Sequence, residues 1–224
     1  MKRKRLWSLL FIFVLAAVLT GCYRFYQTQQ VEYTAGQIAK AIETRDAILF
    51  DRYVDTTRLA ETGYDAGSRV LSEHVAELHE LYPEDPFFWH DTAFMTSYTA
   101  EHRMEAIRFI REGMHRYFID TDERPDFAAD PTGFVAHEAA EIVAATEARV
   151  VEKREERDGR VVLRVRFDGA PTSYGELSND IEMELLFEKD GAGDWKAVEI
   201  VNAEELLLPV TASAEAFWTM QGWQ

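Results

Sequence analysis

The chain has 224 residues, of which 47% are hydrophobic and 12% aromatic, a composition that excludes an intrinsically disordered polypeptide. Its formal net charge of −16 at pH 7 argues against nucleic acid as a partner, because an acidic surface repels phosphates. Cys22 is the only cysteine, which excludes an intramolecular disulfide, so the stability of the fold must come from its core.

The amino-terminal segment has the parts of a secretion signal in the usual order. Lys2 to Arg5 are four consecutive cations, and residues 6–19 are apolar except for Ser8. This apolar run is about 14 residues long, shorter than the roughly 20 residues that a membrane-spanning helix needs. We therefore expect residues 1–21 to be a cleaved signal peptide.

The run ends in Leu19-Thr20-Gly21-Cys22, which resembles the lipobox of bacterial lipoproteins. The resemblance implies that Cys22 becomes the first residue of the mature chain and carries palmitate-type acyl chains as a lipid anchor. In lipoproteins of two-membrane bacteria, an Asp after the Cys commonly causes retention at the inner membrane. Tyr23 stands there instead, so the resemblance implies the outer membrane if the organism has one, with the protein facing the periplasm or the outside.

After a short tether over residues 22–30, apolar residues at the helical period predict a series of helices from Val31 to Glu147. Asp46 is placed to cap a short second helix, and Pro83 to Pro86 interrupt the helical pattern. A long helix is predicted from Phe88 to Phe118. Because residues 87–98 are apolar on most sides, we expect them to lie at the centre of the protein.

From Arg149 onward the hydrophobic period changes to two, which predicts β-strands. The predicted strands are 149–156, 160–167, 181–188 and 194–203, and Asp158-Gly159 predicts a tight hairpin turn between the first two. No helix is predicted between these strands, so the sheet is expected to be antiparallel. Arg164 and Arg166 on one strand can pair with the glutamates of the third strand if the two strands are neighbours.

This order of elements predicts an α+β protein whose amino-terminal helices pack on a carboxy-terminal antiparallel sheet of about four strands. We expect one domain over residues 31–208, helical over 31–147 and sheet over 148–204, followed by a tail at 209–224. The layout resembles the cone-shaped fold of the nuclear-transport-factor-2-like and ketosteroid-isomerase-like superfamily, through residues 41–46, the alternating strands and residues 194–200. That superfamily includes enzymes, ligand binders and assembly modules, so the resemblance does not select a function.

Several histidine and acidic side chains have the chemistry of catalytic or metal-binding residues. His137 and Glu141 lie about 40° apart on a helix and could share one ion, but they point away from an expected core arc that includes Val135 and Val143. A solvated helix face is therefore favoured. His74 lies within an apolar stripe, which favours a hydrogen-bonded histidine in the core.

Two further candidates are also weak. His90 and Asp91 are adjacent, and adjacent residues on a helix do not face each other as an acid–base pair must. The acidic loop from Asp120 to Asp130 lacks the glycine and the terminal glutamate of a calcium-binding loop. The sequence therefore predicts no catalytic residue, no metal ligand and no cofactor.

The favoured hypothesis is a membrane-anchored envelope lipoprotein that acts without catalysis, as a module that binds a protein or a small molecule. One alternative is an enzyme with a polar pocket between the helices and a curved sheet. Another is an assembly factor that contacts a membrane machine through the aromatic residues of its tail, Phe217, Trp218 and Trp223. We expect those aromatic residues to pack on the protein's own helices, since large exposed apolar patches are uncommon on monomers.

Overall fold

The protein is described here from a computed structural model, which covers residues 30–119, 124–207 and 209. The elements of its amino-terminal part are α1 (Val31–Glu43), α2 (Ala47–Tyr53), α3 (Thr56–Glu73), α4 (Val75–Leu81), a short 3-10 helix (Pro86–Trp89), α5 (Thr92–Tyr117) and α6 (Pro131–Ala144). They are followed by β1 (Thr146–Glu155), β2 (Val161–Gly169), α7 (Ser173–Glu176), β3 (Ile181–Lys189) and β4 (Trp195–Ile200). Within the described ranges, no helix combines the length and apolar character needed to cross a membrane.

The four strands form one sheet in the order β1-β2-β3-β4, and each neighbouring pair is antiparallel. Gly159 takes a positive φ of 83° in the turn between β1 and β2, a backbone conformation that glycine adopts without strain. The helices precede the sheet in the chain, and α1, α2 and α3 contact its last strand. The α+β class predicted from the sequence, with amino-terminal helices on a four-stranded antiparallel sheet, is confirmed.

The main core lies between α1 and the helix-facing side of the sheet. Leu163 on β2 and Phe187 on β3 are both 0% exposed, and each such side chain contributes about 1.5–3 kcal/mol through burial. The buried residues of this cluster are Val31, Val54, Val161, Leu163, Phe187 and Ala197. On β2 the odd-numbered residues therefore point toward the helices, and the even-numbered residues point to the outer face.

The helix α5 lies along α3 and is fastened to it by polar contacts. The Tyr64 hydroxyl donates to the carbonyl oxygen of Thr99 over 2.6 Å, and Arg103 donates to both carboxylate oxygens of Asp65 over 3.0 and 3.1 Å. Met95 is fully buried in α5. These contacts leave the opposite side of the amino-terminal half of α5 facing outward.

Some element boundaries differ from the predicted ones because aspartates cap the helices. Asp91 accepts the Phe94 N–H over 2.9 Å, so α5 begins at Thr92 rather than at Phe88. Asp130 accepts the Gly133 N–H over 3.0 Å, and Pro131 follows it at the first helical position, where a missing N–H costs nothing. These two residues fix the start of α6 at Pro131. The helix ends at Ala144, three residues earlier than expected, and β1 accordingly starts at Thr146 instead of Arg149.

Residues 87–98 are not central, contrary to the expectation from their composition. Trp89 is 63% exposed, and Phe94 and Tyr98 are each 37% exposed. Only Met95 in this stretch is buried, because α3 covers just one side of α5. The apolar character of this segment therefore belongs to the surface.

Candidate functional site

The predicted lipidation site, Cys22, lies outside the described residues, and so do the three large aromatic residues of the tail, Phe217, Trp218 and Trp223. Their roles remain predictions from the sequence.

The pair His137 and Glu141 lies on α6, where Glu141 is exposed and His137 is half-buried. The expected core arc of this helix was partly wrong, since Val135 and Val143 are 44% and 40% exposed. The reason is that α6 packs chiefly against α5, which selects a different side of the helix. Among the described residues, no group of three or more histidine, cysteine or acidic side chains is arranged to hold a metal ion.

The other histidine candidates have local roles. The side chain of His74 is 39% exposed at the junction of α3 and α4, 3.0 Å from Glu77, so the expectation of a core histidine was wrong. His90 stacks on the ring of Phe94 at 3.9 Å between centroids, while Asp91 caps α5. This pair therefore supports the start of a helix.

The described part of the acidic loop is also structural. The carboxylate of Asp126 accepts the Ala128 N–H over 2.8 Å. Asp130 caps α6 and also pairs with Arg116. The hydrogen bond from the Gly133 N–H, together with Arg116, holds the pKa of Asp130 below its usual value.

A buried carboxylate that the sequence did not reveal lies on α6. Glu138 is only 7% exposed. Its Oε1 lies 2.8 Å from Arg124 Nε in an ion pair without hydrogen-bond alignment. Its Oε2 accepts a hydrogen bond from the Tyr174 hydroxyl over 3.2 Å. Burial, followed by the charge of Glu138, raises the pKa of Tyr174, which keeps the phenol protonated as a donor. This cluster fastens α6 to α7 and to the loop before α6.

A cleft of about 270 Å³ lies where the start of α1 meets the β1–β2 hairpin and Trp195. Two of its cations are paired within the protein: Lys153 lies 3.0 Å from Glu32, and Arg160 lies 2.7 Å from Asp158. Because these cations already have carboxylate partners, the cleft is a weak candidate for binding a negatively charged ligand.

The most extensive candidate site is an outward-facing group of rings, hereafter the aromatic surface. It spans the end of α4, the 3-10 helix and the first half of α5, and consists of Tyr82, Phe87, Phe88, Trp89, Phe94 and Tyr98. Two caps position it: Asp85 accepts the Phe87 N–H over 2.9 Å to start the 3-10 helix, and Asp91 starts α5.

Five of the six rings of the aromatic surface, all except that of Trp89, contact one another as a continuous layer. The ring of Phe87 is central, with centroids 5.3 Å from Phe88, 6.2 Å from Phe94 and 5.0 Å from Tyr98. Tyr82 stacks on Phe88 at 5.2 Å. These separations are the ones at which ring pairs attract, so the layer is preorganised rather than a set of independent side chains.

The layer continues along α5 and is held at its exposed end. Phe94 stacks on Tyr98 at 5.9 Å, and Tyr98 stacks on His102 at 4.2 Å. The indole N–H of Trp89 donates to the carbonyl oxygen of Pro83 over 3.0 Å, which holds the most exposed ring of the surface in place. Stacking with His90, with each other and with His102 covers the faces of Phe94 and Tyr98, so the most accessible ring of the surface is that of Trp89.

The charge around the aromatic surface has one sign. Between Arg69 and Arg103 the chain contains no lysine or arginine. The same interval contains seven acidic residues, which are Glu73, Glu77, Glu80, Glu84, Asp85, Asp91 and Glu101. The aromatic surface thus has acidic neighbours along the chain and one largely exposed ring, that of Trp89, an arrangement that attracts cations by charge and through a cation–π contact.

Comparisons of this chain with protein-family models, with curated proteins and with solved structures give no match.

Proposed function

We propose that this protein is a lipoprotein of the cell envelope, anchored through Cys22, whose domain binds a protein partner through the aromatic surface. The anchor is supported by Leu19-Thr20-Gly21-Cys22, which follows a basic segment and an apolar segment too short to span a bilayer. Acyl chains on Cys22 would hold the domain beside the membrane, where partners are concentrated.

The observation that carries the binding role is the preorganised, exposed layer of rings from Tyr82 to Tyr98. Aromatic residues supply much of the energy of protein interfaces, and a layer that is already ordered loses little entropy on binding. Phe94 and Tyr98 are partly exposed, and Trp89 is largely exposed, so three rings are accessible to a partner.

The partner that fits this surface is a protein segment rich in arginine. An arginine side chain stacks on a ring face and gains about 0.5–2 kcal/mol from the cation–π contact, according to its burial. The surrounding carboxylates, such as Glu84, Asp85 and Glu101, add a long-range attraction that would raise the rate of association. An acidic partner would be repelled.

The anchor is tested by labelling with a palmitate analogue in cells that produce the full-length chain. We expect label on the wild type and none on Cys22→Ser, because no other cysteine can form the thioether. Label that persists in Cys22→Ser would contradict the proposed site.

The binding surface is tested with short Arg-Gly repeat peptides, compared with Lys-Gly and Glu-Gly peptides of the same length. We expect the full-length chain to bind the arginine peptide best and the glutamate peptide least, with affinity that falls as salt rises. Trp89→Ala should weaken arginine-peptide binding by about tenfold, the equivalent of one lost ring contact.

Phe109→Ala is the control, since Phe109 is 40% exposed on α5 but lies outside the aromatic surface. It should leave peptide binding unchanged. Equal losses for Phe109→Ala and Trp89→Ala, or equal binding of the glutamate peptide, would reject this surface as the docking site while leaving the anchor untouched.

A further inference from the structure

The strand β1 is an edge of the sheet with little covering it. Nine of its ten residues are exposed, including Val150 and Val151 at 44% and 45%. Among the described residues, β1 pairs with no strand other than β2. One row of its backbone N–H and C=O groups is therefore open to another strand, which is a recognised route to association.

A β-bulge in the middle of β1 determines which of its side chains share a face. The register with β2 shifts between Val150 and Glu152. On the outer face, Arg149 lies 3.0 Å from Asp168, Glu152 lies 2.8 Å from Arg164, and Arg154 lies 3.3 Å from Glu184. Glu147 opposes Asp168 in the register, so it belongs to the same face.

The bulge has a consequence for self-pairing. In a regular strand, residues 149 and 152 would point to opposite faces, because side chains alternate. The extra residue of the bulge brings both to the outer face. Suppose that two copies of β1 pair antiparallel about a two-fold axis between Val150 and Val151. Residues that lie opposite each other, such as 149 and 152, then point to the same face of the sheet, as they must in a paired strand.

We propose that β1 is a homodimerisation edge, at which a second copy of this chain pairs antiparallel with Val150 opposite Val151 of the other copy. In this register Arg149 lies opposite Glu152 of the second copy, and Glu147 lies opposite its Arg154. The two-fold axis repeats each pair, so four oppositely charged contacts flank two pairs of valines. The two sheets join into one continuous sheet of eight strands, and the open backbone groups of both edges pair.

The charges also select this register over its neighbours. A shift of two residues in one direction places Glu147 opposite Glu152 of the other copy. The same shift in the other direction places Arg149 opposite Arg154. Like charges directly opposite each other destabilise a strand pair, so the proposed register is the favourable one.

The test uses full-length chains that carry two different affinity tags, co-expressed and purified in excess detergent through one tag. Wild-type copies should co-purify. Arg149→Glu creates two glutamate–glutamate contacts in its own dimer, and Glu152→Arg creates two arginine–arginine contacts. We expect each variant to lose self-association by at least about tenfold.

The decisive sample is the mixture of the two variants. A pair formed by Arg149→Glu in one copy and Glu152→Arg in the other restores both oppositely charged contacts, so this pair should co-purify like the wild type. The variants also disturb the contacts of these residues with Asp168 and Arg164 inside each sheet. If loss of those internal contacts were the cause of the lost association, combining the two variants would not restore co-purification.

Glu112→Arg, at an exposed position on α5, is the control for charge reversal in itself and should leave co-purification unchanged. A wild type that does not associate with itself would overturn the proposal. So would variants that associate with themselves as well as the wild type does, or a mixture that fails to recover. The proposal does not depend on lipidation or on the aromatic surface.

Discussion

Gly169 ends β2 against the backbone of α7, and replacing it with alanine should destabilise the fold. A Cβ at this position would lie 2.5 Å from the carbonyl carbon of Gly175 and 3.1 Å from its Cα, and it would also clash with the Gly175 carbonyl oxygen. Carbon atoms in contact normally lie about 3.5–4.0 Å apart, so the two backbone segments must separate by about 1 Å.

That separation disturbs hydrogen bonds as well as packing. The Ala170 N–H donates to the carbonyl oxygen of Ala145 over 2.8 Å, and the Gly169 N–H donates to the side chain of Asn179 over 3.3 Å. Two weakened hydrogen bonds, each contributing about 0.5–1.5 kcal/mol, together with residual strain, amount to about 2–4 kcal/mol. For a domain of this size the midpoint of thermal unfolding should fall by roughly 5–15 °C.

Gly36→Ala provides a control with the opposite expected sign. Gly36 lies inside α1, and a Cβ there would meet nothing within 4 Å. Alanine favours the helix by about 0.5–1 kcal/mol over glycine, so this variant should unfold at a slightly higher temperature than the wild type. Thermal unfolding followed by circular dichroism measures both. A Gly169→Ala variant as stable as the wild type would refute the close backbone contact.

Three further outcomes follow from the core and the charged contacts. Leu163→Ala should lower the free energy of unfolding by about 2–5 kcal/mol, since Leu163 is 0% exposed. A smaller loss, measured by urea unfolding, would mean that this part of the core is loosely packed. Tyr174→Phe removes a donor to the buried Glu138 and should cost about 1–2 kcal/mol; equal stability of the two proteins would show that the hydrogen bond contributes nothing. The hydrogen bond from Arg164 lowers the pKa of Glu184 from 4.5, and that from Arg58 lowers the pKa of Glu188 from the same value. Because both pKa values are lower in the folded state, these ion pairs stabilise the fold above about pH 4.5, and their contribution is lost as the pH falls through the folded pKa values. The free energy of unfolding of Glu184→Gln, measured in unfolding titrations, should therefore fall less steeply with decreasing pH than that of the wild type.

Local patterns in the sequence were sufficient for much of the architecture. The alternation of apolar residues with Arg164 and Arg166 predicted a strand with one apolar face, and Leu163 and Val165 on that face are buried. The opposite face is not wholly polar, since Val162 packs there in a second buried cluster with Leu186 and Val198. Asp46 was predicted to cap a helix and does so, accepting the Leu49 N–H over 2.9 Å. Such features depend on residues only a few positions apart, so the order of residues determines them.

The same was true of the charged pairs on the outer face. Arg164 pairs with Glu184 at 2.9 Å, as expected if β2 and β3 are neighbours. Alternation placed each set of charges on one face, but the adjacency of the strands was only a condition of that expectation. The structure supplies it, with α7 in the connection between β2 and β3, where no helix was predicted. The resemblance of Leu19-Thr20-Gly21-Cys22 to a lipobox also depends on a few contiguous residues, and the lipid anchor stays a prediction from the sequence.

Only the tertiary structure decided which apolar and charged residues are covered. The rings around Phe87 have the composition of a core segment, yet Trp89, Phe94 and Tyr98 among them are exposed, because α3 covers only one side of α5. Glu138 is buried, although its sequence neighbourhood gave no sign of it, because Arg124 and Tyr174 reach it from other elements. Burial depends on where segments distant in the chain come to lie, whereas periodicity specifies a face without specifying what packs against it.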